Sequence, residues 1–579
     1  MTLETEDKAT RIAKELKSII SQFSYRSFIA HMAHLSTAHH RQGTGVIKLR
    51  SPIRQLMYLV SLYHATPQRG TKRYSAIGTD ERRIIKLLNE IEREYGYAPT
   101  NAQSKLSKED VDKIIVTKST FLNYYLNAPL SFFEQDIERI TRTFRHLEPF
   151  IFQETGFKIQ DFIDFFQLLT RLEKKYMELY ANNDFDGNPT IAALNRGRPA
   201  KQLSIDEKLH LLDLGENRIY KMGIPFSDIY SEIDKEKAEQ LLAHFTLLGK
   251  EDADYLYYTD DCPYLDRPIL LMDGDHIVML YSKQLINAIY NFLYRICNVP
   301  EAPGRKISER RDEFLEEKTR EVFQDFFGSE AKVYTSYYCN GNEKDRLILC
   351  NRQVFVIECK AHKYHEPLRD TERAYQRIKS DFKKIIGKGF SQAIEVEDVL
   401  LDDKPFDICG KNKKATETIQ PEDFDEIFTI VVTQERFGQI QCNLGHLLNI
   451  DDDRNYPWSV SIDDLESFLI TLKRKDDYVA EFGRFLLARE KLHGRLYCYD
   501  ELELCAYFLF DRDKFVKDCA KKAPFFSSPD MNKCFDLLYR VGFGFKNEQN
   551  FDDKENRYDL EAHHFTRYHK LKPVKKTEV

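Results

Sequence analysis

The chain has 579 residues, enough for about three to five folded units at roughly 100 to 200 residues each. With 42% hydrophobic, 31% charged and 13% aromatic residues it has apolar surface for several cores, which excludes wholesale disorder. Lysine and arginine number 86 against 93 aspartate and glutamate, a formal charge of -7, so any polyanion binding is local.

From Lys8 to about Tyr258 apolar residues recur at three-to-four spacing, as in Ile12, Leu16, Ile19 and Ile20 and again in Ile53, Leu56, Met57 and Val60. That spacing predicts a mainly helical region over 1–258, with a regulatory or targeting role. Helical series continue through Phe150–Tyr180 and Ser204–Leu212, the latter opened by a Ser204-x-x-Glu207 capping box. At Pro268 the pattern changes. Ile269 to Met272, the turn Asp273-Gly274, and Ile277 to Leu280 predict a β-hairpin, followed by a helix over Gln284–Ile296. The run Asn298-Val-Pro-Glu-Ala-Pro-Gly304 then closes a segment over 259–304 and marks the clearest boundary.

Beyond it, a mixed α/β domain is expected over 305–490. Its order is a helix at about Glu309–Phe327, strands at Lys332–Tyr338, Asp345–Leu349 and Gln353–Lys360, and a helix at Arg369–Ile386. A polar segment follows at about 402–425, then strands at Ile427–Thr433 and Trp458–Ile462 and helices over Asp463–Glu490. Residues 491–579 read as a helical C-terminal cap with a basic tail, Lys570 to Lys576.

The chemistry concentrates in Glu343-Lys-Asp-Arg-Leu-Ile-Leu-Cys-Asn-Arg-Gln-Val-Phe-Val-Ile-Glu-Cys-Lys-Ala361. Strand side chains alternate, so Glu358 and Lys360 share a face while Cys359 points away, and Asp345 starts the neighbouring strand. Two carboxylates and an ammonium beside apolar strands are costly to bury alone, and a divalent cation is a natural partner. Hard oxygen ligands suit Mg²⁺ or Mn²⁺. Asp345, Glu358 and the Cys359 backbone carbonyl are the candidate ligands. Lys360 would orient or help deprotonate a water and stabilise charge on a phosphorus-bound oxygen, which suits phosphodiester hydrolysis. A hairpin whose edge charges simply pair with one another would carry the same residues.

Here the sequence resembles the PD-(D/E)XK nuclease superfamily, whose pattern is an acidic residue, a hairpin, and then Asp or Glu, any residue, and Lys. Asp345 and Glu358-Cys359-Lys360 match it; Lys344 stands where many members have proline. The family's helical glutamate maps onto Glu316 within Leu315-Glu-Glu-Lys-Thr-Arg-Glu-Val322, with Glu313 and Glu317 as competitors. Its glutamine maps onto Gln392 in Phe390-Ser-Gln-Ala393. The resemblance covers about Lys306–Glu490, including two later strands as in the nuclease-related branch. It implies an α/β plus α architecture: a restriction-endonuclease-like mixed-sheet nuclease domain behind a large mainly helical N-terminal region. It also implies a Mg²⁺-dependent endonuclease acting on nucleic acid, DNA favoured over RNA, with catalytic residues Asp345, Glu358, Lys360, Glu316 and Gln392.

Substrate contacts are expected from the basic residues Arg369, Arg373, Arg377, Lys384 and Lys388, which recur near helical spacing; a solvated helix face would look the same. Asn195-Arg-Gly-Arg-Pro-Ala-Lys201 looks like an AT-hook, with Arg196 and Arg198 placed for an A·T-rich minor groove, or is a basic interhelical loop. His31, His34, His39 and His40, and likewise His563 and His564, lack the cysteines and closed spacing of a zinc site. Asn182 to Asn188 begins like a calcium loop but has Ala193 where the bidentate glutamate belongs, so a turn is expected. No phosphate-binding G-x-x-x-x-G-K-[ST] loop occurs, which argues against ATP-driven translocation by this chain.

All 11 cysteines lie between Cys262 and Cys534 without a C-x-x-C pair, as expected of reduced core thiols. Met1 to Asp7 lacks the chemistry of a signal peptide, and no apolar run reaches the roughly 18 residues of a spanning helix, so the expected location is cytoplasmic, away from membranes. A nuclease joined to such large additional regions suggests, by analogy, a microbial restriction or antiviral defence effector. The alternatives are a repair or recombination nuclease, or a non-catalytic nucleic-acid-binding scaffold. Duplex cleavage needs two cuts, which leaves a homodimer or a partner subunit of a defence system open.

Overall fold

The computed structural model describes residues 7–42, 49–74, 79–96, 107–126, 131–181, 190, 193, 197–208, 222–248, 254–363, 365, 368–402, 404–410, 414–451, 454–528, 531–540, 542–546 and 548. The chain divides into two units. One comprises 1–101, 124–130 and 144–303; the other comprises 102–123, 131–143 and 304–579.

The first unit is mainly helical. The amphipathic helix Lys8–Ile20, whose Ile12, Ala13, Leu16 and Ile20 are buried, packs on Thr79–Gly96 and Pro52–His64. The helix Lys283–Cys297 falls where its apolar spacing places it. The hairpin Leu270–Met272 and His276–Val278 turns on Asp273 and Gly274, both with positive φ, and gains Ile224–Pro225 as a third antiparallel strand. Two residues with φ > 0 are what the tight turn demands.

The second unit is a three-layer α/β structure. Segments 102–123 and 131–143 supply most of α1 (Lys108–Leu126) and all but the last residue of α2 (Phe133–Phe144). Then come α3 (Ile307–Phe327) and the strands β1 (Lys332–Cys339), β2 (Asn342–Cys350) and β3 (Gln353–Lys360). Helices α4 (Thr371–Phe382) and α5 (Lys388–Leu401) follow, joined by a π-helical turn, Lys383–Gly387. Four more strands, β4 (Phe406–Cys409), β5 (Ala415–Ile419), β6 (Glu426–Thr433) and β7 (Trp458–Ser461), complete one sheet in the order β7-β6-β3-β2-β1-β4-β5. The strands β3, β6 and β7 run parallel, and all other pairings are antiparallel. Helices α6 (Ile462–Leu472), α7 (Tyr478–Arg489), α8 (Glu501–Phe510), α9 (Arg512–Cys519) and α10 (Lys533–Arg540) end the described chain.

Alternation along β2 and β3 assigns the two faces. Ile348, Cys350, Phe355, Ile357 and Cys359 enter one core with α3 and α6 to α10, whereas Leu347, Leu349, Val354 and Val356 meet Ala393, Val396 and Leu400 of α5. Phe355 lies 5.0, 5.3 and 5.6 Å, ring to ring, from Phe327, Phe428 and Phe482. Emptying such a site costs about 3–5 kcal/mol.

Three features depart from the expected organisation. Residues beyond 491 do not form a separate cap: Leu496, Leu504, Phe508 and Phe515 belong to the same core as β3 and β6, so fewer units result than length suggests. The polar stretch 402–425 holds the hairpin β4–β5, which sits at the sheet edge and needs little apolar content. And α2, far upstream in sequence, is tied into this unit by ions: Lys318 Nζ bridges Glu138 at 2.5 Å and Glu466 at 2.6 Å.

Candidate active site

Between β2 and β3 the regular ladder runs from Cys350↔Gln353 to Arg346↔Ile357 and then opens. The next residues in register are Asp345 and Glu358. In place of a backbone pair, the Cys359 N–H donates to Asp345 Oδ2 at 2.7 Å, and the Asp345 N–H points at Glu358 Oε1 at 3.5 Å. On the other side of β2, the pairs Thr335↔Arg346 and Tyr337↔Lys344 flank Ser336, which adopts φ 49° directly opposite Asp345. A non-glycine residue held in the left-handed region is strained, and strain of this kind collects where a site over-determines the backbone.

Lys360 closes the arrangement. Its Nζ donates to Glu358 Oε2 at 2.9 Å, to the Cys359 carbonyl at 3.0 Å and to Asp345 Oδ2 at 3.3 Å. Glu358 is fully buried, with side-chain exposures of 13% for Lys360 and 20% for Asp345, so the cluster opens to solvent on the Asp345 side. The structure thus brings Asp345, Glu358, Lys360 and the Cys359 carbonyl together.

The electrostatics show too little positive charge. Desolvation, and then the Asp345 carboxylate, push Glu358 up to about 7 against the pull of Lys360. Burial alone would lower the Lys360 ammonium, but Asp345 and Glu358 outweigh it and hold it above its ordinary value. The lysine is therefore a fixed cation. Cys359, its thiol pushed up to about 12 by burial and then by Asp345, is a protonated core residue and no thiolate ligand.

Of the three candidate glutamates on α3, Glu316 faces the cluster. Although it keeps solvent contact, loss of water around its carboxyl and the nearby Asp345 push it up to about 7, with Arg346 opposing. Glu317 instead pairs with Arg142 at 2.8 Å, and Glu313 lies 3.7 Å from Arg305. One turn before Glu316, Asp312 joins the same field: desolvation raises it, Arg311, then Lys360 and His362, oppose, and Asp345 adds to the rise. Sequence reasoning passed over Asp312, although its i, i+4 relation to Glu316 was visible. Arg346, buried on the α3 face, donates from Nη2 to the Glu316 carbonyl at 3.0 Å; its Nε and Nη1 are buried without a hydrogen-bond acceptor among the described residues.

Gln392 lies on α5, beside the cluster's face. One turn earlier Gly389 lets that helix approach β3 and β6 closely: a Cβ there would stand 2.8 Å from Val431 Cγ1 and 3.4 Å from Lys360 Cγ. The Gln392 carbonyl accepts a 2.8 Å bond from Lys344 Nζ, and its side-chain Oε1 is buried without a described donor. Lys344, at the proline position of the resemblance, is buried and also pairs with Glu395 at 2.6 Å.

The basic residues are less unified. Arg369 is exposed in the loop before α4, not on the helix; Arg373, Lys384 and Lys388 are exposed, and Arg377 is half-buried. The π turn contains Lys384 and offsets the residues on its two sides by about 100°, one residue's rotation. A single continuous stripe is not what the backbone provides. In the first unit, Arg198 is committed to the capping-box Glu207, at 2.7 and 3.1 Å, and does not stand free for a minor groove. Arg196, the Asn182–Asn188 loop, the His39 and His40 side chains, His563, His564 and the basic tail lie outside the described residues. His31 packs on Tyr74, 4.6 Å between rings, and His34 lies 6.1 Å from it.

Among the described residues, no three His, Cys, Asp or Glu side chains form a ready metal cage. The donor set at the strand opening is two carboxylates and a carbonyl, all hard oxygens, with the Glu358, Glu316 and Asp312 carboxyls displaced upward chiefly by desolvation and also by Asp345. Those residues fit a divalent Mg²⁺ or Mn²⁺ better than a thiophilic metal. No described helix is long and apolar enough to cross a membrane. Comparisons of the chain with protein-family models, with curated proteins and with solved structures find no match.

Proposed function

We propose that the second unit is a metal-dependent endonuclease of the PD-(D/E)XK, restriction-endonuclease-like kind, hydrolysing phosphodiester bonds of nucleic acid, with DNA favoured. The observation that carries this reading is the opening of the β2–β3 ladder at Asp345 and Glu358 with Lys360 spanning both carboxylates. The order helix α3, antiparallel β1–β2–β3, helices α4–α5 and parallel β6 supports it.

A bound Mg²⁺ or Mn²⁺ would supply Lewis-acid polarisation of the phosphate and an acidified water. Asp345, Glu358 and the Cys359 carbonyl would hold it. Glu316, which feels the Asp345 carboxylate, would help orient the attacking water. The Lys360 ammonium, fixed by two carboxylates, stabilises the negative charge that grows on a phosphoryl oxygen. Gln392, on α5, offers a buried amide oxygen without a donor among the described residues. Arg373, Lys384 and Lys388, all exposed, would meet phosphates flanking the cut. A defence or restriction role follows from analogy with chains of this organisation, with repair as the other enzymatic reading.

The rival is a scaffold that binds nucleic acid without cutting it, in which the Lys360–Glu358 ion pair is purely structural. Purified protein is incubated with plasmid, single-stranded DNA and RNA in Mg²⁺, Mn²⁺ or EDTA. Metal-dependent cleavage that falls on the order of 10² to 10³-fold in Lys360→Ala, with the circular dichroism spectrum retained, supports the enzyme. Binding without cutting in every condition establishes the scaffold.

A further inference from the structure

The loop leaving β3 carries a histidine that the two-carboxylate reading does not use. His365 Nδ1 lies 2.9 and 3.1 Å from the two oxygens of Asp381 on α4, and the His365 backbone N–H reaches the same carboxylate at 3.3 Å. Asp381 is almost completely buried, its side chain 3% exposed, and has no Lys or Arg partner among the described residues. A carboxylate is costly to bury unless its charge serves a partner, and here that partner is one imidazole. A carboxylate only accepts, so Nδ1 carries the hydrogen and Nε2 is the free position; the ring is 43% exposed.

This imidazole sits on the loop that leaves the cluster's own strand, five residues after Lys360. The His362 ring lies 6.3 Å from that of His365, and His362 falls within the field of Asp312, which also feels Lys360 and Asp345. In the proposed mechanism the cluster's groups serve as ligands, water-orienting carboxylate and fixed cation, and none of them is assigned to protonate the departing oxygen. A carboxylate orienting an imidazole whose far nitrogen faces solvent is the arrangement of a positioned acid–base group.

We propose that His365, oriented by Asp381, is the general acid of the cleavage step, an assignment that rests on the nuclease reading. In that step the water oxygen forms a bond to phosphorus and the bond from phosphorus to the leaving sugar oxygen breaks. That oxygen takes the proton from His365 Nε2, leaving a neutral imidazole, while the proton lost by water passes to solvent. His365 then regains a proton from solvent.

The test uses His365→Asn in the full chain. The asparagine amide can still donate to Asp381 from near the Nδ1 position, so the loop stays anchored while Nε2 is lost. Rates are measured in Mn²⁺ on the nucleic acid the unaltered protein cuts, and on the same molecule with sulfur replacing the 3′ or, separately, the 5′ bridging oxygen of the scissile bond. A sulfur leaving group needs no proton. The expected result is a loss on the order of 10² to 10⁴-fold on the ordinary substrate, with cleavage of one of the two sulfur substrates close to that of the unaltered protein. Melting temperature, read alongside, stays unchanged. Wild-type rates on the ordinary substrate overturn the assignment, as does a loss that persists equally with both sulfur substrates. If the unaltered protein cuts nothing under any metal condition, the nuclease reading itself fails and takes this role with it.

Discussion

Replacing the buried Glu358 by glutamine isolates the charge imbalance at the strand opening without invoking catalysis. In the metal-free protein the Glu358 carboxyl sits at about 7 against an ordinary 4.5, because burial and Asp345 disfavour its charged form more than Lys360 favours it. Below pH 4.5 the folded and unfolded chains both hold the proton, and Glu358 contributes no pH dependence. Between 4.5 and about 7 the native state keeps a proton that the unfolded chain has released, so stability falls as pH rises. Above 7 the penalty is complete, and a displacement of this size corresponds to about 3 kcal/mol. Glutamine resembles the protonated carboxyl in shape and charge. Glu358→Gln is therefore expected to stabilise the EDTA-treated protein by about 2–3 kcal/mol at pH 8 and by little at pH 4.5. Urea unfolding at the two pH values, followed by circular dichroism, measures this. Mg²⁺ or Mn²⁺ should reverse the order, raising the melting temperature of the unaltered protein and not that of the variant. A variant that is destabilised at pH 8 in EDTA would show that Lys360 needs the Glu358 charge more than the cluster suffers from it, and the reasoning from missing positive charge would be refuted.

Two further predictions concern packing in the second unit. Gly389→Ala should gain about 1 kcal/mol of helix propensity but lose about 1–3 kcal/mol to the contact with Val431. Adding Val431→Ala should restore part of that loss, and additivity in denaturant midpoints would show that the close approach is unimportant. Arg489 and Glu501, with side-chain exposures of 1% and 3%, form a two-pronged pair at 2.7 and 2.9 Å, and Trp458 also donates to Glu501 at 2.8 Å. Arg489→Met leaves that carboxylate unpaired and should cost about 3–5 kcal/mol, with much of it recovered in Arg489→Met/Glu501→Gln; equal instability in both would place the loss in packing instead.

The residues of the site were readable because strands impose a period of two. That period alone put Glu358 and Lys360 on one face and Cys359 on the other, and the hairpin through Asn351 and Arg352 returned Asp345 to the same edge. The strands β1, β2, β3, β6 and β7 and the helix α3 fall within three residues of where their apolar spacing predicts them. The hairpin β4–β5 escaped notice because an edge strand needs no continuous apolar run. On α3 every turn offers a carboxylate, so spacing could not separate Glu313, Glu316 and Glu317; Arg305, just before the helix, and Arg142, from far upstream, occupy two of them.

What the sequence determined by itself is therefore local: element type, which side chains share a face, and the hard-oxygen character of the candidate ligands. Tertiary structure decided everything that depends on pairing at a distance. It selected Glu316 and added Asp312, turned Arg198 toward Glu207, aligned Asp381 behind His365, and drew α1, α2 and the last helices into the sheet's own unit. The reason is that periodicity fixes direction along one element, whereas the field at a carboxyl is the sum over neighbours whose places are set by packing.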